Sequence, residues 1–391
     1  MLDVVVAGGG PAGLSAAHAA ARSGARVALL ERESAFGIPT RTSGGSFLRD
    51  LRVLGIPVRF CNPLREVRFI APSAEAVIRF DHEPEVCVLD VRALYQWLAE
   101  RAAAAGAELH LRATVMEARR RDRGVEIRAR GPGGEWRIAA RYAVDATGTP
   151  AVVATSTGMH PPFARRAVGA ELDLAAPHFP IDTCWLIVGT DVAPAGYGWA
   201  FPYRDGRVRL GVGVMRPDSG ADPRDLLERV RTLPALAGAL RGSQTIELHA
   251  GLIPVEPLRT AVVRDGVIMV GDSASHASTL VGEGIRYAIG AGEAAGQALG
   301  EAVRRGDEAP LRSFERRWNA RHRRDFRVAY RINRALAAFD DDHWNRAVVA
   351  LGSAPRWFVV AALKTDFRPR QVARLAATHP GLALRLLRVA R

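Results

Sequence analysis

The chain opens on an apolar run without alternation, Val4-Val5-Val6-Ala7, as in a strand buried on both faces. Gly8-Gly9-Gly10-Pro11-Ala12-Gly13 follows, then an alanine-rich helical stretch, then Gly24-Ala25-Arg26 and a second apolar run, Val27 to Leu30, closed by Glu31. The order is strand, tight turn, helix, strand, acid. Residues 67–90 read as short strands. Leu94 to Ala105 has the apolar spacing of an amphipathic helix, with Gly106 at its C-terminal stop. Glu108 to Arg119 alternates like a strand. Val125–Arg130 and Trp136–Arg141 form a hairpin around Gly131-Pro132-Gly133-Gly134, and Tyr142 to Asp145 is a further strand running into a turn at Gly148.

Residues 165–257 differ in character. Strands such as Cys184–Val188 and Val208–Val214 alternate with Pro/Gly turns, and a helix is expected from about Pro223 to Leu240. Inside this region Tyr197, Trp199 and Phe201 alternate, so in a strand they share one face, as a core stripe or as the wall of an apolar pocket. Val267 to Val270 is a buried strand followed by Gly271-Asp272. Gly282-Glu283-Gly284 then opens a helix from Ile285 to Leu299, whose Ala288, Gly292 and Ala295 permit close packing. From Leu311 onward the pattern is helical and arginine-rich, interrupted by Asp340-Asp341-Asp342.

The first thirty-odd residues carry dinucleotide-binding chemistry. Gly8 allows the sharp turn, Gly10 lets the backbone approach a pyrophosphate, and Gly13 lets helix and strand pack closely. The helix start at Pro11 and Ala12 offers N–H groups and partial positive charge to phosphate. Glu31, with Arg32 beside it, ends the second strand, where a carboxylate accepts ribose hydroxyls. Asp272, at another strand end, suits a polyol hydroxyl or a turn cap. The loop from Gly37 to Gly45, with Arg41, lies along a cofactor or forms a surface turn, and Arg92 reaches a phosphate or solvent.

With 391 residues, 48% of them hydrophobic, the chain can bury more than one core. Its net charge of +13 comes almost wholly from arginine, Lys364 being the only lysine. The arginines are spread along the whole chain rather than gathered in a stripe, which argues against nucleic acid. The basic, leucine-bearing tail from Leu382 to Val389, with Arg385, Arg388 and Arg391, either packs on its own domain or lies on an anionic membrane surface. Cys61, Cys87 and Cys184 are too few and too scattered for a disulfide framework or a metal site, which points to a reducing compartment. No leader is expected before a fold that starts at residue 2, and no apolar run is long enough to span a bilayer. The expected location is cytoplasmic, with peripheral contact at the inner membrane face through the C-terminal basic helices.

Together these motifs resemble the FAD-dependent group that includes p-hydroxybenzoate hydroxylase, and within it the geranylgeranyl reductase branch. Three stretches carry the resemblance over about residues 2 to 300: GGGPAG with Glu31; GDSASHASTLVGEGIRYAIGAGEAA from Gly271; and PAGYGWAFP from Pro194, followed by Gly211-Val212-Gly213. The third matches that branch's Tyr-x-Trp-x-Phe-Pro motif. The resemblance implies an α/β fold: a Rossmann-like FAD-binding domain built from residues 1–65, 87–164 and 258–310, a mainly β-sheet substrate domain from 66–86 and 165–257, and a C-terminal helical region, 311–391.

It also implies that Gly8, Gly10, Pro11, Ala12 and Gly13 hold the FAD pyrophosphate and that Glu31 and Arg32 flank the adenosine ribose. Arg41 and Arg92 lie along the pyrophosphate side, and the Val115 backbone meets the adenine. Gly271 and Asp272 meet the ribityl region, and Gly282, Glu283, Gly284 and Ile285 the flavin N1/O2 edge. Tyr197, Trp199 and Phe201 line the substrate cavity, with Tyr197 the candidate acid or positioning group. Ser275, Thr279 and Ser43 stand where the branch usually has glycine, proline and, in many members, cysteine, so a mechanism relying on that thiol cannot operate here.

The implied activity is reduction of C=C bonds in an apolar isoprenoid substrate by hydride from the flavin, with NAD(P)H or a ferredoxin as electron donor, since no second dinucleotide fingerprint is visible. The alternative is an FAD-dependent monooxygenase of an aromatic or polyketide-like molecule. A halogenase would need a lysine near the flavin, and Lys364 is distant along the tail. A non-catalytic FAD-binding scaffold is disfavoured by the intact Glu283 loop.

Overall fold

The apolar run at the N-terminus sits in the middle of a parallel sheet. The computed structural model describes residues 2–80 and 83–381, so the tail from Leu382 lies outside the described residues. Strand Leu2–Ala7 pairs in parallel with Gly134–Asp145 on one side and Val27–Leu30 on the other. Val267–Met269 and Glu108–His110 extend the sheet outward, also in parallel. With both faces covered, Val4, Val5, Val6 and Ala7 are wholly buried, which is why the run shows no alternation.

Several boundaries differ from the sequence expectation. Trp136–Arg141 and Tyr142–Asp145 are one strand, Gly134–Asp145. Its first half is the antiparallel hairpin partner of Gly124–Gly131, and its second half is the central parallel neighbour of Leu2–Ala7. Change of partner, not a turn, produces the change of pattern. The alternating stretch from Glu108 breaks into Glu108–His110 and Thr114–Arg121. The helix from Pro223 ends at Arg231, and Pro234 starts a separate turn, Pro234–Ala237, because proline cannot continue the ladder. Asp340 is a cap, its carboxylate accepting the His343 backbone N–H 2.8 Å away.

Helix Ile285–Arg305 lies against helix Pro11–Arg22 at backbone contact. A Cβ on Gly292 would stand 2.2 Å from the Ala12 carbonyl oxygen, and one on Gly296 2.5 Å from that of Ala16. Glycines four apart thus fix the distance between the two helices that start at the cofactor-type turns.

A second, seven-stranded sheet runs Gln244–Pro254, Arg166–Ala175, Arg207–Arg216, Gly196–Arg204, Thr183–Ile187, Glu66–Ala71, Ala74–Arg79. A small third sheet joins Gly45–Phe47, Val86–Leu89 and Cys61–Leu64. The described residues after the sheets are mainly helical, among them the 28-residue Ala309–Leu336. Among the described residues no helix is long and apolar enough to cross a membrane.

Candidate active site: a glycine-lined cleft and an aromatic cavity

Two spaces meet where the parallel sheet faces the seven-stranded one. The larger, about 700 Å³, runs from the Gly8–Ala12 turn past Glu31 and Val115 to Gly271, Asp272 and Gly284. The smaller, about 170 Å³, is walled by Tyr197, Trp199 and Phe201. Arg41, Gly251, Gly282 and Ile285 line both.

Gly8 has φ +105°, and a Cβ there would lie 2.1 Å from the Ala146 carbonyl oxygen. The turn is therefore possible only for glycine. Gly10 differs, since a Cβ there would meet nothing within 4 Å and would point into open space. Glu31 accepts the Gly9 N–H at 2.6 Å and the Glu33 N–H at 2.9 Å, which fixes its carboxylate at the cleft rim. Pro11, Ala12, Arg32, Arg41, Val115 and Asp272 line the same cleft. Arg41 is tethered to Glu33 at 2.6 Å, and Arg32 to the same carboxylate at 3.1 Å. The Asp272 side chain has no protein hydrogen-bond partner among the described residues, and desolvation pushes its pKa up to about 6.

Three expected residues stand apart from this cleft. Gly13 faces the turn itself, where a Cβ would lie 1.9 Å from the Gly8 oxygen. Arg92 points elsewhere, donating to Glu247 at 3.0 and 3.2 Å. Glu283 borders the aromatic cavity instead, with its carboxylate held by Ser46 (3.1 Å) and Arg286 (2.8 Å). In the Gly282–Ile285 loop, the Gly282 N–H is already spent on the Ser278 carbonyl at 2.8 Å. Among the described residues this leaves the N–H groups of Glu283, Gly284 and Ile285, at the start of a 21-residue helix, as donors toward the junction of the two spaces.

The aromatic cavity owes its shape to strand register. Tyr197 lies in line with Gly213, Gly169 and Gly251; Trp199 with Gly211, Glu171 and His249; Phe201 with Arg209, Asp173 and Glu247. One face of the sheet thus carries an aromatic column, then glycines, then polar groups. The Trp199 indole rests over Gly169, Gly211 and Gly213, and a Cβ on Gly211 would stand 2.2 Å from the ring. Its Nε1 donates to Glu171 at 2.7 Å. The Tyr197 hydroxyl donates to the Val281 carbonyl at 2.6 Å, and burial raises its pKa further. That geometry makes Tyr197 a brace for the Gly282 loop, with its proton already engaged.

Sequence reasoning missed Glu171, His249, Arg209 and Arg286. Arg209, 2% exposed, donates to the Ser43 and Leu89 carbonyls at 3.0 Å each and ties the Ser43 loop to the sheet. The parity it shares with Gly211 and Gly213 was the available signal. Lys364, distant in sequence, is brought back to 3.0 Å from Asp50 and 5.6 Å from the Phe47 ring, so chain distance was no guide to its position.

The chain matches two family models: FAD dependent oxidoreductase over residues 3–167, and geranylgeranyl reductase catalytic domain over residues 171–253. It is 28% identical to digeranylgeranylglycerophospholipid reductase 2 of Methanopyrus kandleri, over 89% of this chain and 90% of that protein. It is 30% identical to digeranylgeranylglycerophospholipid reductase 1 of Methanothermobacter thermautotrophicus, over 80% of this chain and 81% of that one. Among solved structures, a geranylgeranyl bacteriochlorophyll reductase-like protein from Thermoplasma acidophilum superimposes with a TM-score of 0.85 at 22% identity, covering 99% of both chains.

Proposed function

This chain belongs to the geranylgeranyl reductase family of FAD-dependent oxidoreductases, and from that we propose that it saturates C=C bonds in a geranylgeranyl-type polyprenyl chain held in the aromatic cavity. The observation that carries the reading is the junction: an apolar, aromatic-walled space opens into a glycine-lined cleft beside a helix start.

The cleft suits FAD on two counts. Gly10 leaves open space where any side chain would intrude, and Asp272 presents a carboxylate without a protein hydrogen-bond partner among the described residues. Gly8, Gly10, Pro11 and Ala12 would hold the pyrophosphate, with Gly13 letting the helix start pack against the turn, and Glu31 would take the adenosine ribose. Val115 would meet the adenine through its backbone, Arg32 would flank the adenosine ribose, Arg41 the phosphates, and Gly271 and Asp272 would take ribityl hydroxyls. Glu283, Gly284 and Ile285 would offer N–H groups to the pyrimidine edge of the isoalloxazine, where negative charge gathers on reduction. Bound and reduced, FAD supplies a hydride from N5. The protein's part is to align an alkene in the aromatic cavity and keep bulk water out. Tyr197 braces the loop between the two spaces, and Trp199 and Phe201 present ring surface to the isoprenoid.

Photoreduced enzyme mixed anaerobically with a geranylgeranyl-bearing lipid should reoxidise its flavin and yield saturated product. A flavin that stays reduced without oxygen, with an oxygen atom entering the product once oxygen is admitted, would mean a monooxygenase instead.

A lipid substrate must be reached. Arg316, Arg317, Arg321, Arg323, Arg324 and Arg327 are all exposed on helix Ala309–Leu336, and this supports peripheral contact with an anionic bilayer. The protein should co-sediment with phosphatidylglycerol vesicles at low salt and be released at high salt. Equal recovery with neutral vesicles would end that idea.

A further inference from the structure

One polar thread crosses the otherwise apolar wall of the aromatic cavity. Glu171 and His249 sit side by side in register on neighbouring strands, each 4% exposed and each lining the cavity. His249 Nδ1 is 3.4 Å from Glu171, and its Nε2 is 2.8 Å from Glu247. The other Glu171 oxygen accepts the Trp199 Nε1–H at 2.7 Å. Glu247 has a side chain 36% exposed and is met from outside by Arg92. The thread runs from solvent to the Trp199 ring.

Saturating one C=C bond takes one hydride and one proton. Under the reductase reading, on which this inference rests, the hydride comes from reduced FAD. The proton needs a route through apolar walls. The other titratable groups lining the cavity are committed. Tyr197 donates to Val281, and Glu283 is paired with Arg286. The Cys87 thiol is pushed up by its Cys61 neighbour and by burial, Cys184 by burial, and Arg41 is paired with Glu33.

We propose that Glu247, His249 and Glu171 form the proton relay of the reaction, with Glu171 as the acid at the substrate. At rest the proton sits on His249, facing the Glu171 carboxylate; it passes from Nδ1 to Glu171, and the carboxyl so formed gives it to the less substituted alkene carbon. Positive charge builds on the tertiary carbon, faced by the aromatic column, and that carbon accepts the hydride. The electron pair of the C=C bond forms the new C–H bond to the proton, and the hydride pair forms the second. Glu171 is again a carboxylate, and the neutral His249 is reprotonated from solvent through Glu247.

Four groups face His249 from the elements packed on it: Glu171, Glu247, Arg209 (4.0 Å from Glu171) and, through Glu247, Arg92. Desolvation lowers the His249 pKa, but the hydrogen bonds to Glu171 and Glu247 outweigh it and the net shift is upward. The imidazolium, with the stability it contributes, is fully present at low pH. It is lost as pH rises through the raised value, so the relay loses its charge on the alkaline side.

The test uses full-length, FAD-loaded enzyme, photoreduced without oxygen and mixed with geranylgeranyl lipid in a stopped-flow. Glu171→Gln keeps an acceptor for the Trp199 N–H but has no acidic proton. It should bind FAD normally and slow flavin reoxidation by about 100-fold or more. His249→Asn should slow it less and remove the alkaline limb of the pH profile. In the oxidised holoenzyme, nitrogen-15 NMR should show His249 titrating above the ordinary histidine range in wild type and lower in Glu171→Gln. Reoxidation in Glu171→Gln within about twofold of wild type, where mutational effects on chemistry become negligible, would overturn the relay alone. So would a His249 that titrates like a solvated imidazole. Failure of the wild type to reoxidise would overturn the reductase reading and the relay with it.

Discussion

Gly8→Val is expected to purify without visible flavin absorbance and with a lowered melting temperature, whereas Gly10→Val keeps the melting temperature of the apoprotein and loses only the flavin. The two glycines lie two residues apart in one turn and fail for different reasons. At Gly8 the backbone is at φ +105°, and a Cβ would stand 2.1 Å from the Ala146 oxygen, a backbone atom that cannot swing aside. Conformational strain of about 1–3 kcal/mol adds to an overpacking cost of about 1–3 kcal/mol, all paid inside the parallel sheet. At Gly10 a Cβ meets nothing within 4 Å, so the folded chain accepts a side chain and only what enters the cleft meets it. Flavin-to-protein absorbance ratios and melting curves of the cofactor-stripped proteins read the two effects separately. Equal melting temperatures for the two variants would refute the assignment of Gly8 to the fold and Gly10 to the cleft.

The parts of the site that were legible in the sequence are those whose meaning is local. The Gly8–Gly13 turn can be read from its own spacing, because strand, glycine turn and helix start are contiguous. Tyr197, Trp199 and Phe201 were legible for the same reason, since alternation within one strand fixes a shared face. What stayed hidden depends on register between strands far apart in sequence. Glu171 becomes a neighbour of His249 only when Arg166–Ala175 pairs with Gln244–Pro254, and Trp199 comes to lie over three glycines only when two further pairings are set. The pairing of Arg92 with Glu247 was hidden for the same reason, the two lying 155 residues apart. The strand Gly134–Asp145 was split in two because its pattern changes where its neighbours change. Side chains whose partners lie on other elements carry no periodic mark.

Arg286→Met is expected to be the most damaging side-chain truncation at the site, costing about 3–5 kcal/mol, the usual penalty for removing one partner of a buried charge network. The Arg286 side chain is only 11% exposed, yet its guanidinium serves four partners: it donates to Glu283 at 2.8 Å, the Tyr287 hydroxyl at 2.8 Å and the Lys364 carbonyl at 2.7 Å, and makes an ion pair with Asp50 at 3.1 Å. Desolvation works against its charge, but Glu283, Tyr287 and Asp50 more than offset this and raise its pKa. Without it, the 5%-exposed Glu283 carboxylate keeps Ser46 but loses its counter-ion, at the loop that separates the two cavities. Asp50 retains Lys364 at 3.0 Å, so the damage concentrates on the Glu283 side. Arg286→Lys should recover only part of the loss, because one ammonium cannot reach three acceptors and a fourth charged partner set around a planar fork. The same guanidinium holds the segment after helix Arg356–Leu363 through the Lys364 carbonyl. Its removal should therefore loosen the C-terminal helices and the flavin loop together, seen as faster limited proteolysis beyond residue 340 and weaker FAD retention. Glu283→Gln in the Arg286→Met background should restore much of the stability by removing the unpaired charge. If the double variant is no more stable than Arg286→Met alone, the ion pair is not what holds this loop in place.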